Sequence, residues 1–170
     1  MLGLELKKPQ GSGALWWLVL SAVVIVLDQV TKIWLASSLE LYETRELLPM
    51  LNLTHLTNPG AAFSLLAEAG GWQRWLFSLA AVVVSAGIIA WLWYLPRQGE
   101  GRLACGLALI LGGAVGNLID RLAYGHVIDF IQVHWAGWSF PAFNVADSAI
   151  TIGAAVIILD SILGMRRDGA

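Results

Sequence analysis

Charge is scarce in this chain. Of its 170 residues 13% are charged and 58% are hydrophobic, and the mean hydropathy is +0.71. That balance excludes a soluble domain folded round one core and indicates a membrane protein. The formal net charge of −2 gives no basic surface for nucleic acid. Cysteine is nearly absent. Cys105 stands alone in an apolar segment, so there is no disulfide framework and no thiolate cluster for a metal, and it reads as a small packing residue. No Walker, dinucleotide-binding or zinc-protease motif is present. No internal repeat is evident, which argues against a repeat-built transporter.

What the chain does have is long apolar runs. They predict four spans, at about 15–35, 72–95, 103–118 and 146–163. The first run follows Lys7 and Lys8 and could pass for a signal peptide. It is too long for an h-region and no small-residue cleavage site follows, so it reads as a retained helix. Lys7, Lys8, Arg97, Arg102, Arg166 and Arg167 fall in 1–14, 96–102 and 164–170, which makes those segments cytoplasmic. Segments 36–71 and 119–145 then face outward. The nine tryptophans all fall near a predicted helix end or in the outer loop, where indole prefers to lie. Within 36–71, LLPMLNLTHLT alternates loosely and NPG signals a turn. The expected fold is all-α and membrane-embedded, one polytopic domain over 1–170, with a small extracytoplasmic β-cradle between the first and second helices. In the third span Ala104, Ala108, Gly112 and Gly116 recur every four residues, a face suited to close helix packing.

The polar residues near membrane depth carry the chemistry. A charge near the bilayer centre costs about 2.5–3.5 kcal/mol, so each needs a reason. Asp129 and Asp147 each follow a short apolar run. A chain that turns back between two spans can bring them together. A close carboxylate pair holds one proton: the ionised member takes a proton from water and the protonated one polarises a scissile carbonyl. The plainer reading makes Asp147 a first-turn acid favoured by the helix dipole, with Asn144 as N-cap, and Asp129 a surface acid. Asp28 and Lys32, at i and i+4, can neutralise each other or align a substrate; structural support is the preferred reading. Asn117 and Arg121 lie one turn apart and can point the same way. Arg121 can bind a substrate carbonyl or a phosphate, hold Asp120, or sit among headgroups. Asn58 in TNPGAAF can donate to a substrate backbone or simply form an Asx-turn. His126, Asp129 and His134 match no common zinc spacing, so no metal site is expected.

Together these blocks resemble the bacterial lipoprotein signal peptidases (signal peptidase II). The blocks are D-Q-x-x-K at Asp28, Gln29 and Lys32; N-x-G-A-A-F-S at Asn58, Gly60, Ala61, Ala62, Phe63 and Ser64; and G-G-A-x-G-N-x-x-D-R from Gly112 to Arg121. V-x-D-F follows at Val127, Asp129 and Phe130, then F-N-x-A-D-S at Phe143, Asn144, Ala146, Asp147 and Ser148. Pro59 departs from the usual residue between Asn and Gly. The resemblance covers nearly the whole chain. It implies an aspartyl endopeptidase of the bacterial inner membrane that cuts a prolipoprotein before its diacylglyceryl-modified cysteine. It implies Asp129 and Asp147 as the catalytic dyad, with Asn58, Gly60, Asn117, Arg121, Asn144, Ala146, Asp28 and Lys32 binding substrate or supporting the site. No cofactor, metal or nucleic acid is expected. The partners are the substrate and membrane lipid, and the enzyme is expected to be a monomer with its site near the outer leaflet. Three rivals remain: a proton-coupled carrier with acids near midplane, a non-enzymatic scaffold in which no two acids converge, and a metal-dependent hydrolase.

Overall fold

The computed structural model describes residues 13–60 and 71–168, the last four by backbone alone. Lys7, Lys8, Ala61, Ala62, Phe63 and Ser64, and the side chains of Arg166 and Arg167, lie outside the described residues. The four apolar runs form helices α1 (Leu18–Ser38, preceded by a 3-10 turn at Leu15–Trp17), α2 (Trp72–Tyr94), α3 (Gly101–Tyr124) and α4 (Val145–Asp168). Each is long and apolar enough to cross a membrane. Unlike a soluble bundle, they are apolar outside as well. Val19, Val23, Val26, Val30 and Ile33 of α1 are all exposed, while its buried stripe is Ser21, Val24, Asp28, Lys32 and Leu35. Where the surroundings are lipid, burial selects small and polar side chains rather than apolar ones.

α3 is the hub and packs against the other three helices. Its small residues decide how closely they come. A Cβ on Gly116 would sit 2.7 Å from Asp28 Oδ2, and one on Gly113 would sit 2.3 Å from the Ala146 carbonyl. The Ala104-to-Gly116 line therefore serves α1, while Gly113 serves α4, a second contact face that the four-residue pattern does not reveal. α3 also runs on to Tyr124, beyond the expected end at about 118, and closes on Gly125 in the left-handed conformation. Asp120 and Arg121, expected in the outer segment 119–145, are thus helical residues like Asn117 before them.

The β-structure is larger than the cradle expected between the first two helices. β1 (Thr44–Leu48) and β2 (Leu51–Asn58) form a hairpin, and β3 (Val127–Trp135) and β4 (Trp138–Ser139) join it from the second outer segment. The strand order is β1-β2-β3-β4, all antiparallel. A bulge in β2 sets Leu53 against Ile131 but Leu56 against Asp129. Paired residues share a face, so Asp129, Leu56, Ile131, Leu53, Val133 and Leu51 lie on one side of the sheet. Ile128 and Phe130 lie on the other, in a cluster with Leu35 and Leu39 at the end of α1. That cluster fixes the angle of the sheet over the bundle and the direction in which Asp129 points.

Gly113→Val is expected to lower the unfolding midpoint in detergent by roughly 5 °C, since overpacking of this kind costs about 1–3 kcal/mol. Gly87→Ala, where nothing lies within 4 Å of the added carbon, should leave the midpoint level or slightly raised. Equal midpoints for the two variants would remove the close α3–α4 contact from the argument.

Candidate active site

The start of α4 sets the first acid. Asn144 precedes the helix; its Oδ1 accepts the Asp147 N–H at 2.9 Å, and Asp147 Oδ2 accepts the Asn144 N–H at 3.3 Å. This is a capping box with aspartate in place of glutamate. The first-turn reading of Asp147 is therefore correct as local structure, and it is also what holds the carboxylate in place. Its other oxygen, Oδ1, accepts from Asn117 Nδ2 at 2.8 Å.

The second acid comes from the sheet. Asp129 is 4% exposed. Its Oδ1 accepts from Asn144 Nδ2 at 2.8 Å and its Oδ2 from Asn58 Nδ2 at 3.0 Å. Asn144 therefore touches both aspartates, fully buried between them. Asn58 forms the expected turn as well, its Oδ1 accepting the Gly60 N–H at 2.9 Å. Gly60 has φ +104 and its Cβ would strike the Phe77 ring, so glycine is needed to turn the chain there. Burial, and then the nearby charge of Asp147, push the Asp129 carboxyl up to about 7.

Beneath the aspartates lies a charge cluster. Lys32 Nζ is 2.8 Å from Asp28 Oδ2, 2.9 Å from Asp120 Oδ2 and 2.9 Å from Asn117 Oδ1. All three of its protons are used, and Lys32, Asp28 and Asp120 are each at most 1% exposed. Asp28 Oδ1 accepts the Ala146 N–H at 2.9 Å, one of the free donors at the start of α4. Asp120 Oδ2 also accepts the Ile128 N–H at 3.1 Å, next to Asp129. Gln29 Nε2 donates to Asp120 Oδ1 at 2.9 Å. The cluster thus reaches α4 through Asp28 and β3 through Asp120. Asp120 and Gln29 were not among the residues singled out for the site. The signal for Asp120 was its i, i+3 spacing from Asn117, which places both toward α1 only if the helix continues past Asn117.

Arg121 stands apart from this cluster. Its guanidinium lies over the Phe77 ring at 5.3 Å, and its Nη1 donates a long bond of 3.4 Å to the Asn117 carbonyl. Its Nε is buried with no hydrogen-bond partner among the described residues. It faces the aspartates without pairing to them. His134 is not with Asp129: it lies on the other face of β3, with Nε2 3.1 Å from Asn52 Oδ1. An apolar cleft of about 460 Å3 opens beside Asp147, lined by Phe140, Pro141, Ala142, Phe143, Thr151 and Ile152 among others.

Four membrane-capable helices, a sheet over one end and two carboxyls converging between them, one buried and one half-buried, define a polytopic membrane protein with a carboxylate-pair site. The family model described as Signal peptidase (SPase) II matches residues 20–163, and the chain belongs to that family. It is 56% identical over 150 residues to the lipoprotein signal peptidase of Pseudomonas fluorescens strain Pf-5, covering 87% of this chain and 88% of the relative. It is 50% identical over 157 residues to that of Shewanella halifaxensis, covering 92% and 91%. A bacterial membrane enzyme solved by the in meso method at 2.3 Å resolution superposes with a TM-score of 0.75 at 29% identity, over 88% of this chain and 89% of that one.

Lys32→Met is expected to destabilise the protein by about 3–5 kcal/mol, because it leaves two buried carboxylates without their cation. Adding Asp28→Asn to that variant should recover part of the loss. Denaturant unfolding in micelles measures both; a single variant as stable as wild type would mean that the cluster does not hold the fold.

Proposed function

We propose that this protein removes the signal peptide from diacylglyceryl-modified prolipoproteins, cutting the peptide bond before the lipidated cysteine with Asp129 and Asp147 as an aspartyl dyad. The observation that carries the reading is the convergence of a strand-borne and a helix-borne carboxyl on one buried asparagine, Asn144, whose side-chain amide donates to Asp129 and whose backbone N–H donates to Asp147. Membership of the signal peptidase II family supports it, as does the similarity to the lipoprotein signal peptidases of Pseudomonas fluorescens and Shewanella halifaxensis.

The two acids take different roles. Asp147 sits in the first turn of α4, where the helix dipole favours an anion, and it accepts from Asn117 and from the Asn144 N–H. It is the base that takes a proton from the attacking water. Asp129, its carboxyl raised to about 7, keeps its proton and gives it to the carbonyl oxygen as the tetrahedral intermediate forms. Collapse breaks the C–N bond; the proton held by Asp147 passes to the leaving amine, and the intermediate's hydroxyl proton returns to Asp129. Water is consumed, one carboxylic acid and one amine are released, and the dyad is restored. Arg121, with donor capacity to spare, holds a substrate carbonyl. Asn58, Gly60, Asn117, Asn144 and Ala146 hold the dyad's surroundings, and Asp28 and Lys32 support them. No cofactor enters this scheme. The enzyme works as a monomer in the bacterial inner membrane, both termini cytoplasmic and the dyad near the outer leaflet.

Purified protein in detergent should cut a diacylglyceryl-modified prolipoprotein before the cysteine, and EDTA should leave the rate unchanged. Asp129→Asn and Asp147→Asn should each lower it at least about 1,000-fold while remaining folded. Either variant cutting at the wild-type rate, or loss of cleavage in EDTA, sinks the mechanism. Activity should also fall as the pH rises through about 7, because Asp129 then loses the proton it donates. Stability follows the same sign. The folded state keeps a proton that the unfolded chain releases near pH 3.8, so stability is lost as the pH rises from there to about 7. Asp129→Asn, neutral throughout, should lack that loss in a series of thermal unfolding curves.

A further inference from the structure

The end of the bundle away from the aspartates holds a second polar site. A cleft of about 530 Å3 lies where the 3-10 turn, the start of α3 and the middle third of α4 meet, and its lining includes Trp17, Gly99, Arg102, Cys105, Val156 and Asp160. Asp160 lies about 20 Å down α4 from Asp147 at 1.5 Å per residue. It falls within the stretch Val145–Gly164 that is apolar enough to span a membrane. A carboxylate there is costly unless it is well paired.

It is paired loosely. Arg102 Nη1 and Asp160 Oδ1 are 3.6 Å apart, with side chains 53% and 30% exposed. A charge-assisted hydrogen bond closes to about 2.7–2.9 Å. The contrast with Lys32 is direct: there three acceptors lie at 2.8–2.9 Å around a cation that is 1% exposed. One ion cluster is closed, while the other is wider, more exposed and lines a cleft. Its cation and anion stand side by side, an indole lies at one edge, and Val156 forms an apolar wall one helical turn nearer the bilayer middle.

The chemistry that completes such a pair is a zwitterion with a phosphate and a primary ammonium a few bonds apart, carried on an apolar tail. The guanidinium takes the phosphate oxygens two at a time. The carboxylate takes N–H donors, which a trimethylated amine lacks and an uncharged polyol headgroup does not offer as a cation. We propose that this cleft binds the headgroup of a primary-amine zwitterionic glycerophospholipid, phosphate on Arg102 and ammonium on Asp160. The site is independent of the peptidase reading: it touches neither aspartate of the dyad nor any residue assigned to it.

The test uses the full chain, purified in detergent and stripped of lipid. It is titrated with phosphatidylethanolamine, phosphatidylcholine and phosphatidylglycerol of identical acyl chains, and with soluble phosphoethanolamine, and bound species are counted by native mass spectrometry. One phosphatidylethanolamine should be held about tenfold more tightly than either other lipid. Arg102→Gln and Asp160→Asn should each reduce it to the phosphatidylcholine level, while Arg45→Gln, in an exposed ion pair at the far end, should not. Equal retention of the three lipids, or unchanged selectivity in Asp160→Asn, overturns the proposal. Competition by phosphoethanolamine at equal concentration also overturns it, since the ligand would then be a soluble phosphoamine rather than a lipid. Should a variant fail to fold, the three-lipid comparison on the wild-type protein decides alone.

Discussion

A lysine ammonium with no access to water is the constraint on which this architecture depends. Lys32 sits on a lipid-facing helix, 1% exposed. It can remain charged there only if acceptors surround it. Two carboxylates and an amide oxygen do so, one from its own helix and two from α3. That requirement sets the register of α1 against α3. It also explains why glycine stands at 116, where a Cβ would meet Asp28 Oδ2. The desolvation cost of the charges is offset by geometry alone, so small shifts of either helix are expensive.

The same constraint reaches the two acids through hydrogen-bond polarity. Lys32 can only donate, so the atom of Asn117 that faces it must be the oxygen. The Asn117 amide nitrogen is then left for Asp147, 2.8 Å away. Asn144 repeats the pattern. Its oxygen is taken by the Asp147 N–H, so its nitrogen faces Asp129 and the Ile128 carbonyl. A chain of forced donor and acceptor choices thus runs from a buried cation to both carboxyls. Nothing in it needs flexibility, and each amide has one usable orientation. Asp28 and Asp120 add backbone anchors at Ala146 and Ile128, so both carboxyl-bearing elements are tied to the same charge.

Much of this was legible in the sequence, and the omissions have physical causes. The i, i+4 spacing of Asp28 and Lys32 predicts their contact, because helix geometry is local. The four apolar runs predict four helices for the same reason. Asn144 ahead of an acid reads as a helix start, and it is one. In the sequence Asp120 reads only as a partner for Arg121, because polar residues after an apolar run look like an exit from the membrane; in the fold it pairs with Lys32. Here they are the continuation of α3, made soluble in the bundle by partners on α1 that sequence distance hides. β3 was missed for a related reason. Val127 to Trp135 alternates only weakly, since Val127, Ile128, Asp129 and Phe130 are all buried, Ile128 and Phe130 against the end of α1. Its pairing with β2 spans much of the chain, and no local pattern announces it.

The division of the two acids between a strand and a helix start has a consequence of its own. A carboxyl in mid-helix finds no free N–H on its own helix and must take donors from elements that begin beside it, as Asp28 does from Ala146 and Asp120 from Ile128. At the first turn of α4 the backbone N–H groups are unused by the helix, and at the inner end of the sheet a strand delivers a side chain sideways rather than along an axis. The two elements meet where the bundle gives way to the sheet. At that level a side chain can be buried, hydrogen-bonded and still next to a surface cleft. Burial there acts unequally. Asp129, on the strand, is nearly enclosed and has its carboxyl raised, while Asp147 borders the cleft and gains from the helix dipole. The asymmetry between an enclosed carboxyl that holds its proton more tightly and a neighbour open to the cleft therefore arises from secondary structure, before any substrate is present.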